Sequence, residues 1–415
     1  MIECDVLIIG SGPAGASLAY YCKKNGLDTI LVEKKKNVDR PVRCAEFVPA
    51  NIVKLFDFKI AGINNQTDFI DTYIGDLNGF EVIAKTKSPG FILDRDIFVK
   101  DLVTRFERDG GKFINCAKII SIEIPELIDK NFDFVPGFSS TFPNRVISTI
   151  FDRKKDTGFK LKSKIVVGAD GPISFVGKFI GSTNKNFVIA IQERIKIKKR
   201  GILETAKRNK IFFTPYLRCG YGWVFPKNGS MNIGVGLEFY NQFINTSNNI
   251  YVNSCISLKD ILALFKKQLC RSSLISGEYL NLTYREVVTG LIPTSGIVAI
   301  PALRNFILVG DAAGLCNPIT GAGIFNAAYS SKLALEVILK AVKNNDLNIV
   351  FDIKNIYKTE FEQSIGRALE KRIYQRQNWL NALENDLKLQ SNRYNSSQFF
   401  NLIKQTWITF KDYWR

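Results

Sequence analysis

The residues of this chain that could do chemistry fall in a few short runs. Gly10-Ser11-Gly12-Pro13-Ala14-Gly15 follows an apolar run at 2–9 and precedes Ala16-Ser17-Leu18-Ala19-Tyr20-Tyr21, which is in helical register. Gly10 and Gly12 allow a tight turn in which the backbone approaches a pyrophosphate, and Gly15 lets helix and strand pack closely. Pro13 and Ala14 belong to the same turn. The helix that follows directs its free N–H groups and positive dipole end at the phosphates. Gly26-Leu27 ends that helix, Thr29-Ile30-Leu31-Val32 reads as a second strand, and Glu33 closes it, with Lys34 beyond. A carboxylate there can accept from a ribose hydroxyl. Strand, glycine turn, helix, strand and terminal acid within about 30 residues make a βαβ dinucleotide-binding unit.

Two further glycine–aspartate turns end apolar strands. Ile165-Val166-Val167-Gly168 runs into Ala169-Asp170-Gly171, and Phe306-Ile307-Leu308-Val309 runs into Gly310-Asp311-Ala312-Ala313-Gly314. Then Asn317-Pro318-Ile319-Thr320-Gly321-Ala322-Gly323 leads into a long apolar helix from Ile324, about 324–343. The N–H groups of Gly321 and Gly323 at that helix start suit a site where negative charge collects. A fourth run, Tyr221-Gly222-Trp223-Val224-Phe225-Pro226, turns at Asn228-Gly229 into Met231 to Leu237 and reads as a hairpin. Tyr221, Trp223 and Phe225 share one strand face, and Gly222 lies on the other. With Gly234 and Gly236 opposite, the pattern is an aromatic wall beside a glycine floor. It suits a long apolar ligand or plain core packing.

These pieces need a common scaffold. A helix at 94–109 follows Asp94-Arg95-Asp96 and stops at Gly110-Gly111. Residues 112–165 read as short strands with turns at Pro125, Pro136-Gly137, Pro143-Asn144 and Gly158; 186–240 as β-rich; 351–415 as mainly helical. The expected fold is α/β. A discontinuous Rossmann-type dinucleotide domain comes from 1–44, 91–180 and 301–345, an inserted β-sheet substrate domain from 45–90 and 181–300, and a helical C-terminal region from 346–415.

Composition narrows the chemistry. The 415 residues are 46% hydrophobic and 23% charged, which excludes a disordered tail protein. Histidine is absent, so a histidine base and a histidine-ligated metal are both excluded. Eight cysteines without a CxxC spacing leave no zinc pattern, so no metal is expected. The net charge of +18 is not gathered into a basic stripe, so nucleic acid is not expected. An anionic membrane surface and coding bias toward Lys, Asn, Ile and Phe both remain readings of it. No signal peptide and no run of about 18 apolar residues stands in the sequence, so a cytoplasmic location with reduced thiols is expected.

Taken together, these signatures resemble the FAD-binding part of the glutathione-reductase-type and p-hydroxybenzoate-hydroxylase-type flavoproteins, and within them the geranylgeranyl reductase family. Pro41-Val42-Arg43-Cys44-Ala45-Glu46 looks like that family's cysteine-containing flavin loop. Tyr221–Pro226 matches its YxWxFP core, and Gly310–Gly314 with Pro318–Ile324 its C-terminal flavin motif. Pro215 lies six residues from Tyr221, farther than the family's proline, and Phe47 and Pro49 replace small residues. The resemblance implies FAD, with Gly10–Gly15 on the pyrophosphate, Glu33 on the ribose, Asp311 on the ribityl hydroxyls and Arg95 supporting the flavin side. It implies that Arg43, Cys44 and Ala45 lie at the flavin and that Asp170 and Gly171 serve both pyrophosphate and incoming NAD(P)H.

The activity so implied is reduction of isolated C=C bonds in a prenyl or similar apolar chain, with hydride from reduced flavin N5. Cys44 is the candidate proton source, with Tyr221 and Trp223 beside it. A monooxygenase or halogenase on the same scaffold is the alternative, although Tyr221–Pro226 does not complete a WxWxIP motif. A non-catalytic flavin redox sensor is another. No second GxGxxG exists, so electrons come from transiently bound NAD(P)H or a ferredoxin-type partner. A last expectation is peripheral attachment to the inner membrane face. Phe361, Ile365, Leu369 and Ile373 repeat every four residues among basic side chains, and Trp407, Phe410, Tyr413 and Trp414 end the chain.

Overall fold

The computed structural model describes residues 1–38, 40–76, 79–125, 145–197, 207–217, 219–239, 257–277, 285–388 and 396–408. The turns expected at Pro136-Gly137 and Pro143-Asn144 lie outside these residues. The first apolar run forms the strand Ile2–Ile9, flanked in parallel by Thr29–Glu33 and Thr157–Gly168. Phe306–Leu308 adds in parallel to Thr157–Gly168, and Lys112–Asn115 to Thr29–Glu33. These strands read as continuous apolar runs because both faces of a parallel sheet are covered. Thr29–Glu33 is buried at every position. Antiparallel strands Val146–Asp152 and Ala117–Glu123 extend one side, and Ala302–Leu303 lies at the far edge. Gly158 falls inside Thr157–Gly168 and not in a turn; the reversal comes earlier, with Asp156 at φ 51°.

The helices Pro13–Lys24, Arg95–Arg108 and Ile324–Asn344 pack beside this sheet. Their buried faces carry Leu18, Phe98, Leu102, Ala328 and Ile338, which join one core with Leu7 and Ile8. The three glycine-bearing turns meet at the carboxyl ends of adjacent parallel strands, where open α/β sheets take ligands. Close packing there needs Gly15, because a Cβ at that position would lie 1.8 Å from the Gly10 carbonyl oxygen. The neighbour is backbone and cannot swing away. Gly15→Ala is expected to cost about 3 kcal/mol or more, or to prevent soluble accumulation. A wild-type thermal melt for that variant would contradict this packing.

The second sheet has eight strands, in the spatial order 285–293, 187–196, 230–239, 221–227, 208–213, 63–76, 79–93 and 47–49. All pairs are antiparallel except 208–213 with 63–76. One face carries Ile191, Phe212, Val224 and Val235 under the helix Leu258–Arg271, whose Phe265 fills the space beside Gly222. The other face carries Phe213, Trp223 and Phe225.

Helical segments Asp352–Phe361, Arg367–Lys388 and Ser396–Ile403 complete the described chain. They take most of the stripe expected to face a membrane into the fold. Phe361 and Ile365 are buried in the core of the first sheet, and Leu369 packs on Gly296. Trp407 packs edge-on to Phe213 and tilted against Tyr221, at ring-centroid distances of 5.1 and 5.3 Å. Of the four stripe residues, Ile373 is the one among the large exposed hydrophobics. Phe410, Tyr413 and Trp414 lie outside the described residues. Among the described residues no helix is long and apolar enough to cross a membrane.

Candidate active site

Each glycine of the first turn has its own task. Gly10 has φ 101°, and a Cβ there would lie 2.5 Å from the Ala169 carbonyl oxygen, so it joins the turn to the neighbouring strand. A Cβ on Gly12 would meet nothing within 4 Å, so this is the face left open to a ligand. Gly12 is also the N-cap of Pro13–Lys24 and brings no side chain to cover the first N–H groups.

Glu33 is buried, and its Oε2 accepts from the Ser11 N–H at 2.8 Å and the Ser11 hydroxyl at 3.0 Å. Its Oε1 accepts from the Lys35 N–H at 2.9 Å. Three donors therefore use part of the carboxylate, which retains acceptor capacity for a hydroxyl. Glu33→Ala would strand two Ser11 donors in the core. The expected loss is about 2–4 kcal/mol together with weaker cofactor retention. Unchanged melting and unchanged flavin content would remove Glu33 from the turn. Lys34 and Arg43, both predicted cofactor contacts, are exposed.

Asp170 is engaged within its own turn. Its Oδ1 accepts from the Ser174 hydroxyl at 2.5 Å, and its Oδ2 accepts from the Phe175 and Val176 N–H groups at 2.7 and 3.3 Å. The carboxylate holds the short helix Phe175–Phe179, and burial pushes its pKa up. Gly171, with φ 86°, faces open space instead.

At the neighbouring strand end Gly310 permits contact with Ala14, where a Cβ would lie 2.9 Å from the Ala14 Cβ. The Asp311 carbonyl accepts from Asn184 Nδ2 at 2.8 Å. Among the described residues nothing donates a hydrogen bond to the Asp311 carboxylate. Burial pushes its pKa up to about 6, against the pull of the Arg95 charge. An acceptor without a donor, beside an open glycine turn, fits the polyol and phosphates of a dinucleotide cofactor. A Cβ on Gly323 would lie 3.2 Å from Asp311 Oδ1 and 3.5 Å from Cys316 Sγ. Gly321 does not offer its N–H as expected, because it donates to the Asn317 carbonyl at 2.9 Å. The Asn317 side chain accepts from the Ile319 and Thr320 N–H groups, both at 3.0 Å, and so shapes the loop through Pro318. Donors for a ligand come instead from the first turn of the helix at Ile324.

Cys44 is half-buried, and its sulfur accepts from the Glu46 N–H at 3.2 Å. Its carbonyl accepts from Gln192 Nε2 at 2.9 Å, and Gln192 Oε1 accepts from Trp223 Nε1 at 2.9 Å. Ala45 is held through its carbonyl by Asn232 Nδ2 at 3.2 Å. The Tyr221 hydroxyl donates to the Thr320 carbonyl. Tyr221 therefore bridges the aromatic strand to the loop before the Ile324 helix. Burial pushes both the Tyr221 phenol and the Cys316 thiol upward, and each also feels the charge of Cys44. The glycine floor is corrected: Trp223 covers Gly234, where a Cβ would lie 2.2 Å from the indole, and Val188 approaches Gly236.

The structure thus brings Cys44, Tyr221, Asp311 and the start of the Ile324 helix into one neighbourhood, with Trp223 held one amide away. Sequence reading missed Gln192, Asn232 and Cys316. No motif surrounds the first two; Cys316 lies between the Gly310–Gly314 and Asn317–Gly323 runs, and that position was the signal to follow.

A family model described as an FAD binding domain matches residues 5–45. The chain is 28% identical over 399 residues to a digeranylgeranylglycerophospholipid reductase of Methanococcus aeolicus, covering 92% of this chain and 89% of that protein. It is 26% identical over 420 residues to a protein of the same name from Methanosarcina acetivorans, covering 96% and 92%. A geranylgeranyl bacteriochlorophyll reductase-like protein of Thermoplasma acidophilum superposes with a TM-score of 0.71 at 22% identity, covering 100% of both chains. A p-nitrophenol 4-monooxygenase of Pseudomonas putida gives 0.68 at 15% identity, covering 100% and 95%. These two likenesses show the shared fold.

Proposed function

We propose that this chain, which belongs to the geranylgeranyl reductase family of FAD-dependent oxidoreductases, saturates the C=C bonds of prenyl chains on a glycerophospholipid. FAD is its cofactor and supplies hydride from N5 when reduced. The observation that carries the substrate assignment is the Cys44 loop, tied through Gln192 to an aromatic strand face of Tyr221, Trp223 and Phe225. An isoprenoid chain offers only apolar surface, so apolar burial is the main force that can hold it.

Hydride transfer to an isolated alkene needs a proton on the other carbon at nearly the same moment. The chain has no histidine to give it. Glu46 accepts from four donors, so its carboxylate is committed. Burial holds Tyr221 and Cys316 in their protonated forms and makes them poor donors. Cys44 is the remaining protic side chain of this group. Glu33, Asp311 and the open face at Gly12 serve the cofactor, and Trp223 walls the chain while fixing the Cys44 carbonyl through Gln192.

Native mass spectrometry of the purified protein, followed by lipid extraction, tests the substrate class. Prenyl lipids in mixed states of saturation are expected. A copurified aromatic acid in their place would point to a hydroxylase.

A further inference from the structure

Glu46 has every polar group in use. It is fully buried, with φ at 73°, in the left-handed region that a glutamate rarely adopts. Its N–H donates to Cys44 Sγ at 3.2 Å, and its carbonyl accepts from the Leu93 N–H at 2.9 Å. Oε1 accepts from the Arg95 N–H at 2.9 Å, at the start of the flavin-side helix. Oε2 accepts from Arg194 Nη2 at 2.6 Å, Lys227 Nζ at 2.8 Å and Asn232 Nδ2 at 2.9 Å, all from the second sheet. Lys227 is itself buried, bonded to the Leu93 carbonyl and paired with Asp94 at 2.7 Å.

A buried ion cluster is a costly way to hold a fold together, and apolar packing of the same volume often does as well. Here the cluster joins the second sheet to the start of the flavin-side helix at a single carboxylate, and that carboxylate sits on the residue whose N–H meets the sulfur. A strained backbone at such a site persists only when its surroundings over-determine it. We propose that Glu46 is a positioning residue: its carboxylate enforces the left-handed turn that aims its own N–H at Cys44 and fixes the thiol against the flavin-side helix. This rests on the reading of Cys44 as the proton source.

The test is a cycle of four holoenzymes: wild type, Glu46→Gln, Cys44→Ala and the double variant. Glu46→Gln is expected to retain FAD and to slow single-turnover alkene reduction about tenfold or more, whereas in the Cys44→Ala background the same change should cost less than about twofold. Equal losses in both backgrounds would overturn the proposal. A second readout needs no substrate. Iodoacetamide modification of Cys44, mapped by peptide mass against Cys116, should rise about fivefold in Glu46→Gln as the sulfur is released. An unchanged rate at Cys44 would also overturn it. A wild type that reduces no alkene, with the alkylation change present, would refute the substrate reading and leave the positioning role standing. Should Glu46→Gln fail to fold with one buried negative charge lost beside Lys227 and Arg194, Glu46→Gln/Lys227→Met restores the charge balance and carries the same measurements.

Discussion

Cys44→Ala is expected to leave FAD bound and to slow formation of the saturated product by about 10²–10⁴-fold, the usual worth of a positioned acid. An isolated alkene has no carbonyl to spread developing negative charge, so hydride cannot go far ahead of the proton. The variant removes a half-buried sulfur together with the bond it accepts from the Glu46 N–H, while the Gln192 contact to the Cys44 carbonyl remains. Cys44→Ser should recover only part of the rate, because an alcohol is a far weaker acid than a thiol. Single-turnover reoxidation of dithionite-reduced enzyme by a geranylgeranyl lipid, without oxygen, reads the effect. Wild-type rates in Cys44→Ala would make Cys44 a packing residue and leave water as the donor.

Asp311→Asn should act on cofactor and stability in opposite directions. A carboxylate accepting from ribityl hydroxyls contributes about 1.5–3 kcal/mol, so its loss is expected to weaken FAD binding by roughly 10–150-fold. Without cofactor the same carboxylate is a liability. Its folded pKa of about 6 lies above the free value of 3.8. Between those values the folded protein holds a proton that the unfolded chain has released, so stability falls as pH rises from about 4 to 6 and stays lowered above. The roughly two-unit shift corresponds to about 3 kcal/mol. Deflavinated Asp311→Asn should therefore melt higher than the deflavinated parent at pH 7, with the difference gone near pH 4. Full flavin absorbance after gel filtration, with identical melting at pH 7, would refute the assignment.

Much of the flavin side was legible because its signals are local. The βαβ unit, the Gly310–Gly314 turn and the Ile324 helix each carry strand, turn and helix marks within one run, and the observed elements Ile2–Ile9, Thr29–Glu33 and Ile324–Asn344 follow them closely. The alternation at Tyr221–Phe225 likewise sorted residues correctly between two faces. What faces a glycine was not legible: a missing side chain at Gly234 does not say that Trp223 fills the space. The packing of the C-terminal stripe was not legible for a related reason, since a membrane and a protein core ask for the same apolar spacing. Gln192, Asn232 and Lys227 escaped notice because each reaches the Cys44 loop from more than a hundred residues away. The helix Leu258–Arg271 was announced by its capping box, Ser257 with Asp260, a signal the reading passed over.

Reduced FAD in this protein is expected to hand its electrons to a prenyl C=C bond. This is tested most directly by mixing the dithionite-reduced holoenzyme with digeranylgeranylglycerophospholipid under strict anaerobiosis and following flavin absorbance and lipid mass together. The expected result is return of the oxidised flavin spectrum matched by a lipid heavier by two hydrogens for each flavin reoxidised. A flavin that stays reduced until oxygen is admitted, with the lipid unchanged before admission or oxygenated afterwards, would contradict it.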